Sequence, residues 1–195
     1  KTVSIDKVEA DDIIAHLSRI LPKGKKDKAF IVSSDKDFIQ LVSDNVFLYR
    51  PMEKEYYTKQ TVYDKYKMSP KNFILHKTLL GDNSDKIRGV KGLGEKGLMK
   101  KFPELQNDGM TLEDIIKISE SKFKEHVVYA RIVQMVDELE KNYKVMDLSN
   151  PMIDERDKEY LKEVVNSKEL NYIPDQFVAM YHQDQLGGMI RNVDF

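Results

Sequence analysis

The sequence predicts an α/β fold in which a short, partly parallel sheet is followed by a mainly helical second half. Two short apolar runs, Ala29–Ser33 and Val46–Tyr49, have the length and composition of strands. Apolar residues at helical spacing occupy residues 13–21 and much of the chain after Thr61. Because helix and strand alternate in the first half, α/β architecture is favoured there.

The first half begins with a helix whose start is marked by a capping-box pattern. Asp6 and Glu9 have the N-cap to N3 spacing, and Pro22-Lys23-Gly24 ends the apolar periodicity. The elements expected next are a buried, parallel strand over Ala29–Ser33, a helix over Phe38–Val42, a strand over Val46–Tyr49 and a pairing segment over Tyr56–Thr58. Residues 1–60 are therefore predicted to form the α/β part of the chain.

The second half, residues 61–195, is predicted to be helical. Ser69 and Pro70 are a typical N-cap and N1 pair, and they open a helix that continues to Leu80. A glycine-rich stretch interrupts the pattern from Gly81 to Gly97. The elements expected after it are a short helix ending at Phe102, a helix over Leu112–Ile118 capped by Thr111, a helical face over Phe123–Tyr143 and a mixed tail.

Composition narrows the class of protein. The 195 residues are 41% hydrophobic and 33% charged, with a formal net charge of −1, which fits a soluble chain with one substantial domain, or one domain and a small appendage. No apolar run is long enough for a membrane span. The chain has no cysteine and no signal-peptide pattern, so a cytoplasmic location is expected. It begins at Lys1, close to the first helix, and we expect a fragment or a longer protein.

Charge is distributed unevenly along the chain. Residues 77–101 carry seven Lys and Arg side chains against three acidic ones. Such a local excess suits contact with a phosphate backbone, although a solvated, lysine-rich helix face explains the charge equally well.

Seven carboxylates lie in three short clusters, each beside a hydrophobic segment, and they are the main candidates for chemistry. If folding gathers them, they cannot all ionise without a neutralising cation or proton. Oxygen ligands without cysteine select hard cations such as magnesium or manganese. The clusters comprise Glu9, Asp11 and Asp12, then Asp35 and Asp37, then Asp82 and Asp85.

The first two clusters also have a purely structural interpretation. Acids in the first turn of a helix favour the macrodipole, which alone is the better explanation for residues 9–12. Asp37 could cap the helix expected at Phe38, whereas two acids beyond the carboxyl end of a strand also suit one ion. The residues alone leave these alternatives open.

The glycine-rich stretch allows tight turns and a close approach of backbone to phosphate. Gly92 to Gly97 matches the GxGxxG expression of dinucleotide-binding proteins. The match is weak because that fingerprint requires a strand directly before it, and residues 87–91 are turn-like. A backbone clamp on duplex DNA fits the sequence better.

In their order and spacing, the segments VEADD, SSDKD and LLGDNSDKIRGVKGLGEKG resemble the 5′-nuclease superfamily. This family includes flap endonucleases, the 5′-nuclease domain of bacterial DNA polymerase I and phage 5′–3′ exonucleases. The segment LNYIPDQFVAMYHQ is most similar to the ribonuclease H type of T-even phages. The resemblance covers nearly the whole chain.

The resemblance implies a PIN-like fold and a set of site residues. Residues 1–60 would be the C-terminal part of the PIN-like nuclease domain, and residues 61–195 the helical C-terminal domain. A helix–three-turn–helix clamp would lie at about residues 70–102, with K⁺ held by backbone carbonyls of its loop. The DNA-binding residues implied are Lys86, Arg88, Gly89, Val90, Lys91, Gly92, Gly94 and Lys96.

The same resemblance implies two Mg²⁺ ions, for which Mn²⁺ would substitute. Glu9 and Asp11 would serve the first ion. The second would be served, directly or through water, by Asp12, Asp35, Asp37, Asp82 and Asp85. All seven would be catalytic through electrostatics and positioning, since none is a covalent nucleophile.

The function implied is that of a 5′–3′ exonuclease and 5′-flap endonuclease that removes RNA primers or flaps during DNA replication and leaves 5′-phosphates. Partners would be flapped, nicked or RNA-primed DNA and replication proteins such as a single-strand-binding protein, with the nuclease a monomer. Two further acids and a basic arch found in the family do not occur in these residues. A non-catalytic duplex-binding module or an inactive fragment is the alternative.

Overall fold

The computed structural model describes residues 3–167 and 174–183. The helices are α1 Ala10–Ile20, α2 Lys59–Tyr66, α3 Phe73–Leu80, α4 Glu95–Lys101, α5 Leu112–Ser121, α6 Val127–Gln134, α7 Val136–Met146, α8 Glu155–Asn166 and α9 Pro174–Gln183. The strands are β1 Ala29–Val32, β2 Val46–Arg50, β3 Glu55–Tyr57, β4 Gly81–Asp82 and β5 Ile87–Arg88. Short 3₁₀ turns occupy Asp37–Leu41, Pro70–Asn72 and Pro103–Gln106.

The main sheet has three strands in the order β1-β2-β3. β1 pairs in parallel with β2, with Ala29 opposite Val46, as the sequence predicts. β3 pairs antiparallel with β2, with Leu48 opposite Tyr57, so the predicted pairing is also confirmed. The carboxyl ends of β1 and β2 therefore meet at one edge, where loops project side chains.

β1 is buried on one face only, and the prediction of a buried strand is corrected accordingly. Ile31 is 7% exposed, whereas Phe30 and Val32 are 56% and 66% exposed. Side chains alternate along a strand, so these two lie on the opposite face of the sheet from Ile31. Phe30 stacks there on Phe47 at 5.3 Å between ring centroids.

The first helix begins later than its sequence pattern suggests. α1 starts at Ala10, and Glu9 is its N-cap residue, with extended backbone and no side-chain cap. The predicted capping box at Asp6 is wrong because Lys7 adopts a left-handed conformation, with φ of 62°, that interrupts any helix there.

Three further predictions are corrected in detail. The helix expected at Phe38–Val42 is a 3₁₀ turn over Asp37–Leu41. Pro70 opens a 3₁₀ turn and α3 starts only at Phe73, while Ser69 donates to the Asp108 carboxylate instead of capping. The helical face over Phe123–Tyr143 belongs to two helices, α6 and α7, which meet at Met135. The Thr111 cap is confirmed as a complete capping box with Asp114.

α3 is the central helix of the fold, because its side chains are buried on nearly every side. Phe73, Leu75 and Leu79 are at most 1% exposed and belong to one hydrophobic core with the sheet and α4–α7. α3 ends at Leu80, and the chain then passes through Gly81 directly to the third acidic cluster, Asp82 and Asp85.

Residues Ser4–Glu155 form one compact unit, and α8 and α9 belong mostly to a second. The domain boundary predicted between residues 60 and 61 falls inside the Ser4–Glu155 unit, and the division into two domains there stays a prediction. Of the predicted mixed tail, residues 151–167 and 174–183 are described and contain α8 and α9, whereas its ending, GGMIRNVDF, lies outside the described residues. None of the described helices is long and apolar enough to cross a membrane.

Candidate functional site

Three separate elements bring the acidic clusters to the same region of the structure. Asp11 and Asp12 occupy the first turn of α1. Asp35 and Asp37 follow β1 at the carboxyl edge of the sheet, and Asp82 lies in the β4–β5 hairpin after α3. The site is therefore assembled from elements far apart in the sequence.

Asp11 lies where the three clusters meet. Burial raises the pKa of its carboxyl group, and the negative charges of Asp35, Glu9, Asp12 and Asp85 raise it further. These neighbours come from all three segments, so folding does concentrate negative charge as the sequence predicts.

Lys77 places a positive charge between two of the acids. This side chain of α3 is only 6% exposed, and its Nζ lies 2.7 Å from Asp82 Oδ2 and also contacts Asp37 Oδ1. Burial lowers the pKa of the Lys77 ammonium group, but its hydrogen bonds to both carboxylates outweigh burial and leave this pKa raised.

The two carboxylates that share Lys77 differ in their environment. Burial raises the pKa of Asp37, and the contact with Lys77 opposes this increase without cancelling it. For Asp82, hydrogen bonds from Lys77 and Ser84 hold the pKa below its usual range. Asp82 is consequently ionised at neutral pH, and Lys77 is the cation that neutralises it.

Local turns fix the direction of the acidic side chains. The backbone N–H of Asp37 donates to Asp35 Oδ1 at 2.8 Å, and that of Ser84 donates to Asp82 Oδ1 at 2.8 Å. These contacts are typical of Asx turns. Each turn uses one carboxylate oxygen. The second oxygen of Asp82 contacts Lys77 Nζ, and the second oxygen of Asp35 remains for a cation.

Arg50, a buried arginine, holds the loop that carries Asp35 and Asp37. Arg50, at the end of β2, donates from Nη2 to the carbonyl of Ser34 at 2.8 Å and pairs with Glu53. Its guanidinium group therefore fixes the backbone one residue before Asp35. An open cavity of about 540 Å³ lies here, lined by Asp35, Asp37, Arg50, His76, Lys77 and Asp82, among others.

The acidic side chains are neighbours, but in the described residues they are not arranged as a set of metal ligands. Within residues 3–167 and 174–183, no group of three or more acidic or histidine side chains is arranged to hold an ion. Asp12 Oδ1 accepts the backbone N–H of Met152 at 3.1 Å. The metal roles of the seven acids stay predictions. Lys77, which the sequence groups with the other basic residues of the 77–101 stretch, lies within the acidic site.

Gly81 and Gly89 allow the loop that carries Asp82 and Asp85 to pass close to the end of α3. Gly81 has a φ of 79°, and a Cβ there would lie 2.4 Å from the backbone nitrogen of Gly89. A Cβ on Gly89 would lie 2.1 Å from the carbonyl carbon and oxygen of Leu80. A side chain at either position would push apart the two backbone segments that cross after α3.

The glycine-rich loop that follows this crossing combines buried apolar side chains with exposed basic ones. Val90 and Leu93 are 3% and 7% exposed and insert into the core. The exposed basic side chains around the loop are Lys86, Arg88, Lys91 and Lys96. The residues directly before Gly92 form a turn, and β5 is a two-residue strand in an antiparallel hairpin, so the dinucleotide interpretation is wrong.

His76 is a buried histidine beside the acidic cavity. Its ring stacks on Phe73 at 5.0 Å, and neither ring nitrogen has a hydrogen-bond partner. Burial lowers the pKa of His76 to about 4. Nε2 lies 3.7 Å from Glu95 Oε1, too far for a hydrogen bond, and His76 is neutral at neutral pH.

We expect acid to destabilise the protein through His76. Its folded pKa of about 4 lies below the unfolded value of about 6.5, so the unfolded state takes up the proton first. The stability present above pH 6.5 falls by roughly 3 kcal/mol as the pH drops to about 4. Urea unfolding of wild type and His76→Phe across this range measures the difference.

A matched control is His182→Asn, which replaces a histidine at an exposed position of α9. This variant should retain the wild-type pH dependence of unfolding, and His76→Phe should lose that component. An acid-induced loss in His76→Phe as large as in wild type would show that His76 is not its source.

The acidic side chains lie at the carboxyl edge of the sheet, where ligands bind in α/β proteins, and α3 leads from them towards the basic glycine-rich loop. The family model for the N-terminal resolvase-like domain of 5′-3′ exonucleases matches residues 1–67. A 5′-3′ exonuclease of Buchnera aphidicola from Schizaphis graminum is 41% identical over 118 residues, covering 59% of this chain and 41% of the relative.

Two further comparisons cover nearly the whole chain. A 5′-3′ exonuclease of Aquifex aeolicus is 32% identical over 190 residues, covering 95% of this chain and 59% of the relative. The structure of a bacteriophage T5 flap endonuclease in a complex with DNA and metal ions matches with a TM-score of 0.63 at 22% identity, over 95% of this chain and 63% of that one.

The chain is thus similar to 5′-3′ exonucleases of the 5′-nuclease superfamily, the family that its three acidic segments predict. It spans 41% and 59% of the lengths of the two curated exonucleases. The finer resemblance to the ribonuclease H type of T-even phages stays a prediction, and so does a helix–three-turn–helix clamp at residues 70–102.

Proposed function

We propose that this chain carries the acidic site and the duplex clamp of a metal-dependent 5′ nuclease. The enzyme would act as a 5′–3′ exonuclease and 5′-flap endonuclease on flapped, nicked or RNA-primed DNA and leave 5′-phosphates. The observation that carries this proposal is the meeting of three acidic segments around Asp11 and Lys77, next to the basic loop at residues 86–96.

The chemistry of the donor set fits Mg²⁺ or Mn²⁺. It consists of carboxylate oxygens whose mutual repulsion is only partly relieved, and an ammonium group already acts as the cation between Asp37 and Asp82. In this proposal Glu9 and Asp11 serve one ion, and the other five acids serve a second. A bound ion would supply a more acidic water and stabilise charge on the leaving oxygen.

The other residues position the substrate and the acids. Arg50 and the Asx turns orient Asp35, Asp37 and Asp82 before any ion binds. Lys86, Lys91 and Lys96 meet the phosphate backbone of duplex DNA without reading its bases. Binding should therefore depend on DNA structure and on salt rather than on sequence.

A second candidate is a duplex-binding module without activity of its own. In the described part of the chain, no three acids converge as ligands, and this observation favours the module. The two candidates share the clamp and differ in whether phosphodiester bonds are cleaved.

Incubating the 195-residue chain with a 5′-flap duplex labelled on the flap separates the candidates. The nuclease predicts flap release in MgCl₂, products with 5′-phosphates, and no release in EDTA. Binding of the duplex without cleavage in either Mg²⁺ or Mn²⁺ would support the module. Cleavage that persists in EDTA would contradict the metal-dependent mechanism.

A further inference from the structure

An arginine from a distant helix contacts the backbone of the clamp loop, defined here as residues 89–94. Arg131, on α6, donates from Nη1 to the carbonyl oxygen of Lys91 at 2.7 Å. The adjacent Gly92 has a φ of 82°, and a Cβ there would lie 3.0 Å from Arg131 Nη1. The glycine therefore leaves room for the guanidinium group as well as allowing the turn.

Other carbonyl groups at the loop are also occupied. Asn142, on α7, donates from Nδ2 to the carbonyl of Arg88 at 3.3 Å. Within the loop, the carbonyls of Val90 and Gly94 accept backbone N–H groups at 3.0 Å and 2.8 Å. Side chains of α6 and α7 thus hold the loop and the residue before it, and the Lys91 carbonyl already accepts a hydrogen bond from a guanidinium group.

The charge of Arg131 is not neutralised by a neighbour. In the described residues it forms no ion pair, and its side chain is half-buried rather than enclosed. A guanidinium group stays protonated and offers five N–H donors in a planar fork, of which the Lys91 carbonyl takes one. The remaining donors can bind a phosphate in the bidentate geometry that arginine favours.

We propose that Arg131 supplies the cation of the clamp, with one edge of its guanidinium group on the Lys91 carbonyl and the other on a phosphate of duplex DNA. A monovalent metal ion is then unnecessary at this loop, in contrast to the K⁺ that the family resemblance implies. The inference rests on the proposed duplex binding, but it does not depend on cleavage.

The test is fluorescence anisotropy with a labelled duplex in EDTA, so that no cleavage takes place. Binding is compared in KCl and in tetramethylammonium chloride at equal ionic strength. Wild type should bind equally in both salts. Arg131→Met should bind about tenfold more weakly, with the slope of log K against log salt reduced by about 0.9, because one charge-assisted phosphate contact is lost.

Two further variants make the result specific. Arg131→Lys keeps the charge but loses the fork, so its affinity should lie between those of wild type and Arg131→Met. Lys26→Met removes an exposed charge from the linker between α1 and β1 and should leave the affinity unchanged. Circular dichroism checks that each variant is folded.

Three outcomes would overturn the inference. Wild-type affinity in Arg131→Met and Arg131→Lys would show that the arginine makes no phosphate contact. A wild-type requirement for K⁺ over tetramethylammonium would show that a metal ion is the cation. A wild type that fails to bind duplex DNA at all would remove the proposed clamp together with this role of Arg131, whereas the first two outcomes leave the nuclease proposal intact.

Discussion

Replacing Asp82 by alanine is expected to lower Mg²⁺-dependent cleavage at least about 100-fold while leaving duplex binding within about twofold. The side chain sits between Lys77 and the Ser84 turn, where it is ionised and directed toward the other acids. Its removal takes away one carboxylate of the proposed cation site. The clamp loop, which would bind the duplex, is untouched.

The measurement combines flap cleavage with Mn²⁺ binding by calorimetry, so the result does not depend on activity alone. Asp35→Ala should behave in the same way, since Asp35 faces Asp11 from the sheet edge. Asp44→Ala is the matched control, because Asp44 is an exposed carboxylate paired with Lys59. Normal cleavage and Mn²⁺ binding by Asp82→Ala and Asp35→Ala would exclude these acids as metal ligands.

The sequence predicts the sheet well because its strands are marked by short-range signals. β1 and β2 are apolar runs bounded by polar turns, and the Thr111 capping box is a purely local motif. The start of α1 was missed because the left-handed Lys7 has no such signal, lysine being compatible with a helix. The break at Met135 was missed for a similar reason, since apolar spacing continues through it.

The sequence predicts the acidic residues of the candidate site, but not the basic side chains that contact this region. Order and spacing identified the three acidic segments, and the structure places them together around Asp11. Lys77 looks in sequence like any other lysine of a basic stretch, because only tertiary packing shows that α3 is buried on nearly every side. The contact of Arg131 with the glycine-rich loop could not be predicted because its partner, Lys91, lies on a separate element.

Replacing Lys77 by methionine is expected to destabilise the metal-free protein by about 3 kcal/mol. Methionine fills much of the same space but leaves Asp37 and Asp82 facing each other without a counter-charge in a largely buried site. Urea unfolding in EDTA measures the loss. Lys59→Met is the control, because its ion pair with Asp44 is exposed and contributes less than about 1 kcal/mol.

Magnesium should then reverse much of this loss. A ligand that binds only the folded state stabilises it in proportion to the logarithm of its concentration over Kd. In wild type a divalent ion must compete with the Lys77 ammonium group for Asp37 and Asp82, whereas in Lys77→Met both carboxylates are free to bind it. MgCl₂ should therefore stabilise Lys77→Met more than wild type or Lys59→Met. Equal stabilisation of all three proteins would mean that the ion does not use the carboxylates held by Lys77, and the metal site would have to lie nearer Asp11.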